Sequence, residues 1–249
     1  MDTEASTETS NSRIKWWQLF LYPFTFHNLD YKSPFNQPAY TIVLPFIVFI
    51  FSTFISNYLL ISNDYFVEQI LLKAEEKAME RQDRDSALEV IDMTRAVLTN
   101  PGYQLLVSVT TTLVTLRNLV LFLFVCYLSM SFISGKWSFI KPFLLITASS
   151  INVLSIGYIL NTLLKVSLLN ESVVVGVALF LSNSSSEGIL HFFINRIDLF
   201  TIWFLISLSM GIVFIYKEKT SFIFVLISLS WFLLFIVSFL LKFHFAFTF

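Results

Sequence analysis

The chain has 249 residues, of which 56% are hydrophobic and only 13% charged, with a formal net charge of −1 and a mean hydropathy of +0.74. A soluble domain carries about 25% charged residues, so the composition excludes an ordinary soluble fold and points to several membrane spans. The near-zero charge gives no basic surface for nucleic acid, and the single cysteine, Cys126, excludes a disulfide framework.

Residues 1–12 are polar and acidic, with Asp2, Glu4 and Glu8. They lack the basic start and apolar core of a secretory signal and read as a disordered tail. Residues 13–39 combine Trp16, Trp17, Phe20 and Tyr22 with Arg13, Lys15 and Lys32 around Pro23. This mixture is too polar to span. It suits an amphipathic interfacial segment in the headgroup layer, or one packed under the first span.

The first span is expected at 40–61, with Pro45 in its first turns, where a missing N–H does least harm. Residues 63–102 form the only substantial soluble stretch. Apolar residues recur there at helical spacing, Asp83-Arg84-Asp85 marks a break, and Ser86 with Glu89 reads as a capping box. Nine acidic residues against five basic ones make it an acidic helical hairpin, closed by Pro101-Gly102. It is a partner-binding cap or simply a solvated face, and the second reading is the simpler.

The second span is expected at 110–133, where Arg117 and Asn118 lie one or two turns inside the membrane. An unpaired arginine at mid-span costs about 2.5–3.5 kcal/mol on insertion scales, so Arg117 should face protein or water and meet an acidic partner. The third span, 143–164, carries Ser149, Asn152 and Ser155 at spacings of three. Such residues line a polar path or bond across helices. Residues 165–195 are mixed and should form a surface-lying or re-entrant segment.

Two further apolar runs, at about 197–216 and 222–241, are joined by Lys217-Glu218-Lys219-Thr220-Ser221. Each is long enough for a bilayer core of about 30 Å, and so short a turn makes them an antiparallel hairpin. Ser207 and Gly211 offer a small-residue face for packing or self-association. The fold class is therefore an all-α integral membrane protein. It has five transmembrane helices within residues 40–249, an N-terminal interfacial segment, and the acidic hairpin between the first two spans. Lys136, Lys141, Lys217 and Lys219 fall on the same side as Arg13, Lys15 and Lys32. By the positive-inside rule that side is cytoplasmic, which puts the carboxyl terminus opposite.

Zinc-protease, nucleophile-elbow and phosphate-loop motifs are all absent from the sequence, as is Gly-x-x-x-Gly. No catalytic role, cofactor or metal is expected. One constellation remains: Arg117 and Asp198 enter from the same side and are expected to form an intramembrane ion pair. Thr111, Thr115, Asn118 and Asn152 are candidates for polar packing or for a path.

The order of these features resembles a known family. Ile197-Asp198-Leu199-Phe200-Thr201-Ile202-Trp203, a basic turn and a last span containing Trp231 are similar to the end of bacterial members of the Yip family, the Ypt/Rab-interacting membrane proteins. Gly135-Lys136-Trp137-Ser138-Phe139 and the Trp16-Trp17 start resemble them too. The chain departs from the pattern at Leu121-Phe122-Leu123-Phe124, where small residues are usual. The resemblance implies five spans, a cytoplasmic amino terminus, residence in a bacterial inner membrane and no catalysis. It also implies membrane organisation or partner recruitment, with the lipid bilayer and protein partners or a second copy as contacts. A small-solute or ion transporter is the alternative.

Overall fold

The structure is a computed structural model that describes residues 39–79, 92–137, 140–169 and 198–240. The expectations for the first 38 residues, the Asp83–Ser86 break, the segment 170–197 and the last nine residues lie outside the described residues. The regular elements described are helices: α1 (Tyr40–Ile61), α2 (Asp64–Met79), α3 (Pro101–Ser134), α4 (Ile140–Leu168), α5 (Leu199–Tyr216) and α6 (Thr220–Leu240). Residues 92–98 form a further short helical stretch.

Among the described residues, four helices are long and apolar enough to cross a membrane: α1, α3, α4 and α5. Thr220–Leu234 within α6 is apolar but shorter. Helix ends are specified locally. Asn100 caps α3 by accepting from the N–H groups of Gly102 (2.8 Å) and Tyr103 (3.3 Å), with Pro101 in the first turn. Pro101-Gly102 therefore opens the second span instead of closing the hairpin. The helix starts nine residues before the expected boundary and is about 51 Å long, well beyond a bilayer core. At the other end Gly135 takes φ +67°, the left-handed conformation that stops a helix.

The closest helix pairs are α1–α4, α4–α5, α1–α3, α5–α6 and α3–α6, which together close a ring. A ring of five helices cannot alternate throughout, and the parallel neighbours are α1 and α4, whose carboxyl-terminal ends meet. The inward face of α1 is small and polar at Ser52, Thr53 and Ser56, which lets the two backbones approach. The core is apolar and aromatic, built on Phe49, Phe122, Leu154, Tyr158, Phe204 and Leu208. Ring pairs Phe49–Tyr158 (5.7 Å) and Phe122–Phe204 (6.1 Å) cross it. Of the four apolar helices α4 is the most enclosed, with 78% of its apolar window buried against 28% for α1.

The two ends of the ring differ. At one, α3 and α4 are joined by Gly135–Phe139 and α5 and α6 by Lys217–Lys219. Lys136 Nζ donates to the Tyr216 carbonyl at 2.7 Å and the Tyr127 hydroxyl donates to the Trp137 carbonyl at 2.6 Å. At the other end α2 lies over the bundle. Asn63 caps it, and Val67 and Leu71 pack on Leu98 in a small cluster of their own.

Candidate functional site

The α2 end gathers the buried polar chemistry. Asp198 precedes the apolar run of α5 and caps it, its side chain accepting from the Thr201 N–H. Its other carboxylate oxygen accepts from Asn161 Nδ2 of α4 at 2.8 Å, and the residue is 2% exposed. One turn earlier on the same face of α4 stands Gly157. A Cβ there would come within 2.6 Å of the Phe200 Cβ. Gly157 admits Phe200, and Asn161 holds the cap that precedes it. Together they form a four-residue lock between α4 and α5.

This arrangement corrects the expected Arg117–Asp198 pair. The Arg117 guanidinium donates instead to the neighbouring Asn118 Oδ1, at 3.3 Å from Nε and 3.1 Å from Nη2. Arg117 is on the exposed outer side of α3, while Asn118 is fully buried. Successive helical residues are about 100° apart, so only one of the two can face inward. Arg117 is about 26 Å along α3 from Ser134, near the far boundary of a bilayer core, where a long cationic side chain reaches the headgroups. Asp198 has its needs met by a helix amino terminus and an amide.

The four candidate polar residues separate. Thr111, Thr115 and Asn118 share one face of α3. Thr115 is buried, donates to the Thr111 carbonyl at 3.0 Å and lies beside Tyr158 of α4. Thr111 is exposed and donates to the Val107 carbonyl at 2.8 Å. Asn152 is buried elsewhere on α4, with no hydrogen bond to the α3 residues. Thr112 joins two helices: it accepts from Asn57 Nδ2 of α1 at 3.3 Å and donates to the Ser108 carbonyl at 2.7 Å. Leu199 and Trp203 of the family-like motif lie toward the outside of α5, whereas Phe200 is buried. Ser207 and Gly211 are both buried within the bundle.

Between α1, α2, α3 and α4 lies a cavity of about 320 Å³. Leu60, Ile61, Phe66, Ile70 and Val107 form its apolar walls, and Asn57, Ser108, Thr111 and Lys165 contribute polar groups. Ser108 donates to the Gln104 carbonyl at 2.7 Å, so both Ser108 and Thr111 bond back to their own helix and retain lone pairs for a neighbour. Lys165 supplies the charge and stands within electrostatic reach of Asp198. It is about 38 Å along α4 from Ile140, at or beyond the edge of a bilayer core.

Sequence reasoning missed Asn161, Gly157 and Lys165. Signals for the first two were present: a lone glycine inside an apolar helical run, a polar residue four positions on, and an aspartate immediately before another apolar run. Among the described residues no three His, Cys, Asp or Glu side chains are grouped to hold a metal. Cys126 is buried in the core. What the arrangement can do is bind and brace: it locks helices and offers an amphipathic recess with one cation. No protein-family model matches this chain, and no curated protein and no solved structure matches it.

Proposed function

We propose that the chain is a five-span integral membrane protein of the Yip type that organises membrane or recruits partners without catalysing a reaction. The reading has α6 as the fifth span and the basic turns of Lys136, Lys141, Lys217 and Lys219 on the cytoplasmic side of a bacterial inner membrane. The amino terminus is then cytoplasmic and the carboxyl terminus opposite. Residues 1–35 and the 63–102 hairpin are the partner-facing parts.

The observation that carries the reading is how the middle of the ring is filled. Phe122, Leu154, Phe204 and Leu208 are buried across it, and the cavity is confined to the α2 end. Asn57 bonds to Thr112, Thr112 and Thr115 bond back to their own helix, and Asn161 bonds to Asp198. A bundle packed in this way supports a structural or recruiting role. The transporter alternative draws on the same cavity as a one-sided vestibule.

A solute-flux assay on the purified chain in sealed liposomes separates the two. The organising role predicts no saturable flux across a panel of ions and small solutes, with folded protein in the vesicles. It also predicts specific cross-linking of cellular proteins to residues 1–35 or 63–102 in intact membranes. Saturable flux, abolished by Arg117→Leu or Lys165→Gln, would replace it with the transporter reading.

A further inference from the structure

We propose that the amino-terminal segment 13–38 docks on the outer face of α4, over Leu145, Ser149 and Asn152. The inference goes beyond the organising role and rests on the packing of α4, not on any partner.

The outer face of α4 is buried where the ring leaves it uncovered. The close neighbours of α4 are α1 and α5. It meets α1 through Tyr158, whose ring lies against Phe49, and α5 through Gly157 and Asn161. At about 100° per residue, Leu145 and Asn152 point about 120–140° away from both Tyr158 and Gly157, and so out of the ring. Ile156, Ile159 and Leu163 share this outward face and are 42%, 41% and 49% exposed. Leu145 and Asn152, on the same face, are 4% and 3% exposed. Every residue from Leu145 to Ser155 is buried, so about three turns of α4 are closed on all sides. Two neighbours do not enclose a helix. A further part of the chain therefore covers the outer face of α4 over its first half.

The chemistry of that face also calls for protein and not lipid. Asn152 is about 18 Å along α4 from Ile140, near the middle of a bilayer core. Its amide makes no hydrogen bond to the described helices. Turned to hydrocarbon, such a group is unfavourable, and polar side chains in spans face protein instead.

The identity of the occupant follows from where the chain leaves the bundle. The covered half of α4 is the half at the basic end, and the exposed Ile156, Ile159 and Leu163 lie toward the α2 end. Residues 170–197 join α4 to α5 at the α2 end, so they would meet those three exposed residues first. Residues 241–249 also start from the α2 end, and they follow α6, which borders α3 and α5. Residues 1–38 join the bundle at the basic end, where α1 starts beside α4. From Tyr40 back to Phe26 the chain can extend about 46 Å. That exceeds the depth of about 18 Å along α4 and the separation of about 10 Å between helix axes. The segment is also of matching character, with Trp16, Trp17 and Phe20 for the apolar part of the face and Gln18 and Tyr22 for Ser149 and Asn152.

The test is site-specific photo-cross-linking of the full chain in native membranes. A benzophenone amino acid replaces Leu145, Asn152 or, as the exposed control, Ile159. Each protein is checked for wild-type helix content, a differently tagged wild-type copy is co-expressed, and adducts are mapped by peptide mass spectrometry. The expected result is that adducts from positions 145 and 152 fall within residues 13–38 of the same chain. Position 159 should lose them in favour of lipid. Adducts from 145 and 152 to lipid, to residues 170–197 or to the tagged second copy overturn the proposal. A second measurement leaves α4 untouched: a protease site is placed between Gln37 and Tyr40 and cut in mild detergent. Docking predicts that the released fragment stays with the bundle through size-exclusion chromatography, and its separation overturns the proposal. Recruitment of a partner by residues 1–35 is read separately, from cross-links to cellular proteins.

Discussion

The two ends of the bundle hold their helices together by different means. At the basic end the connections are short, and turns of a few residues join α3 to α4 and α5 to α6. Covalent proximity does most of the work there, because closing a short loop costs little entropy. Lys136, donating to the last carbonyl of α5, then ties the two hairpins together and favours the negative end of that helix. At the α2 end the connections are long in sequence, from Ile61 to Pro101 and from Leu168 to Leu199. No short connection brings α4 and α5 together at that end, and the Asp198–Asn161 bond and the Gly157–Phe200 approach take its place. Buried polar contacts sit where the chain itself supplies no proximity.

This contrast predicts that substitutions at the α2 end cost more than those at the basic end. The largest effect should come from Gly157→Leu. Its side chain would occupy the space of Phe200, and overpacking of this kind costs about 1–3 kcal/mol or more. Reversible unfolding in mixed micelles should show a loss of that size, with Gly157→Ala smaller but still clear. A neutral Gly157→Leu would mean that α4 and α5 do not approach as closely as described.

Next is a pair of double-mutant cycles. Asn161→Leu and Asp198→Leu each leave a buried polar partner unmatched, at about 1–3 kcal/mol. Their double substitution should recover about 1–2 kcal/mol of the summed loss, because the two are in direct contact. The Arg117→Leu/Asp198→Leu cycle should be additive within about 0.5 kcal/mol. Coupling in the second cycle and none in the first would reinstate the ion pair expected from sequence.

The smallest effect should be Lys136→Met, which removes one charge-assisted bond to a helix terminus, worth about 0.5–1 kcal/mol. If Lys136→Met destabilises more than Asn161→Leu in the same micelles, the contrast between the two ends fails.

The Arg117 result shows where sequence reading stops. A helix without a one-sided apolar stripe does not say which side faces the core, and α3 and α5 are of that kind. Between Arg117 and Asn118 the spacing rules leave either free to point inward. The expectation of an acidic partner for the arginine was sound in principle, but it assumed the wrong one was inside. The cavity was equally illegible, since its lining comes from four helices and the longest separation among its residues exceeds a hundred positions.

What the sequence by itself determined is the set of elements: the apolar runs, their lengths and most of their ends. The lipid core is a solvent of known thickness, and a backbone in it must satisfy its own hydrogen bonds, so a run of about 20 apolar residues becomes a helix whatever its neighbours. Caps such as Asp198, with its bond to the Thr201 N–H three residues on, are local in the same sense. Only the tertiary structure decided which faces meet: Gly157 against Phe200, Asn161 on Asp198, Asn118 inside and Arg117 out, and a recess closed by α2. Those choices rest on shape and on pairing between distant residues, which a helix without a one-sided apolar stripe does not encode along its own length.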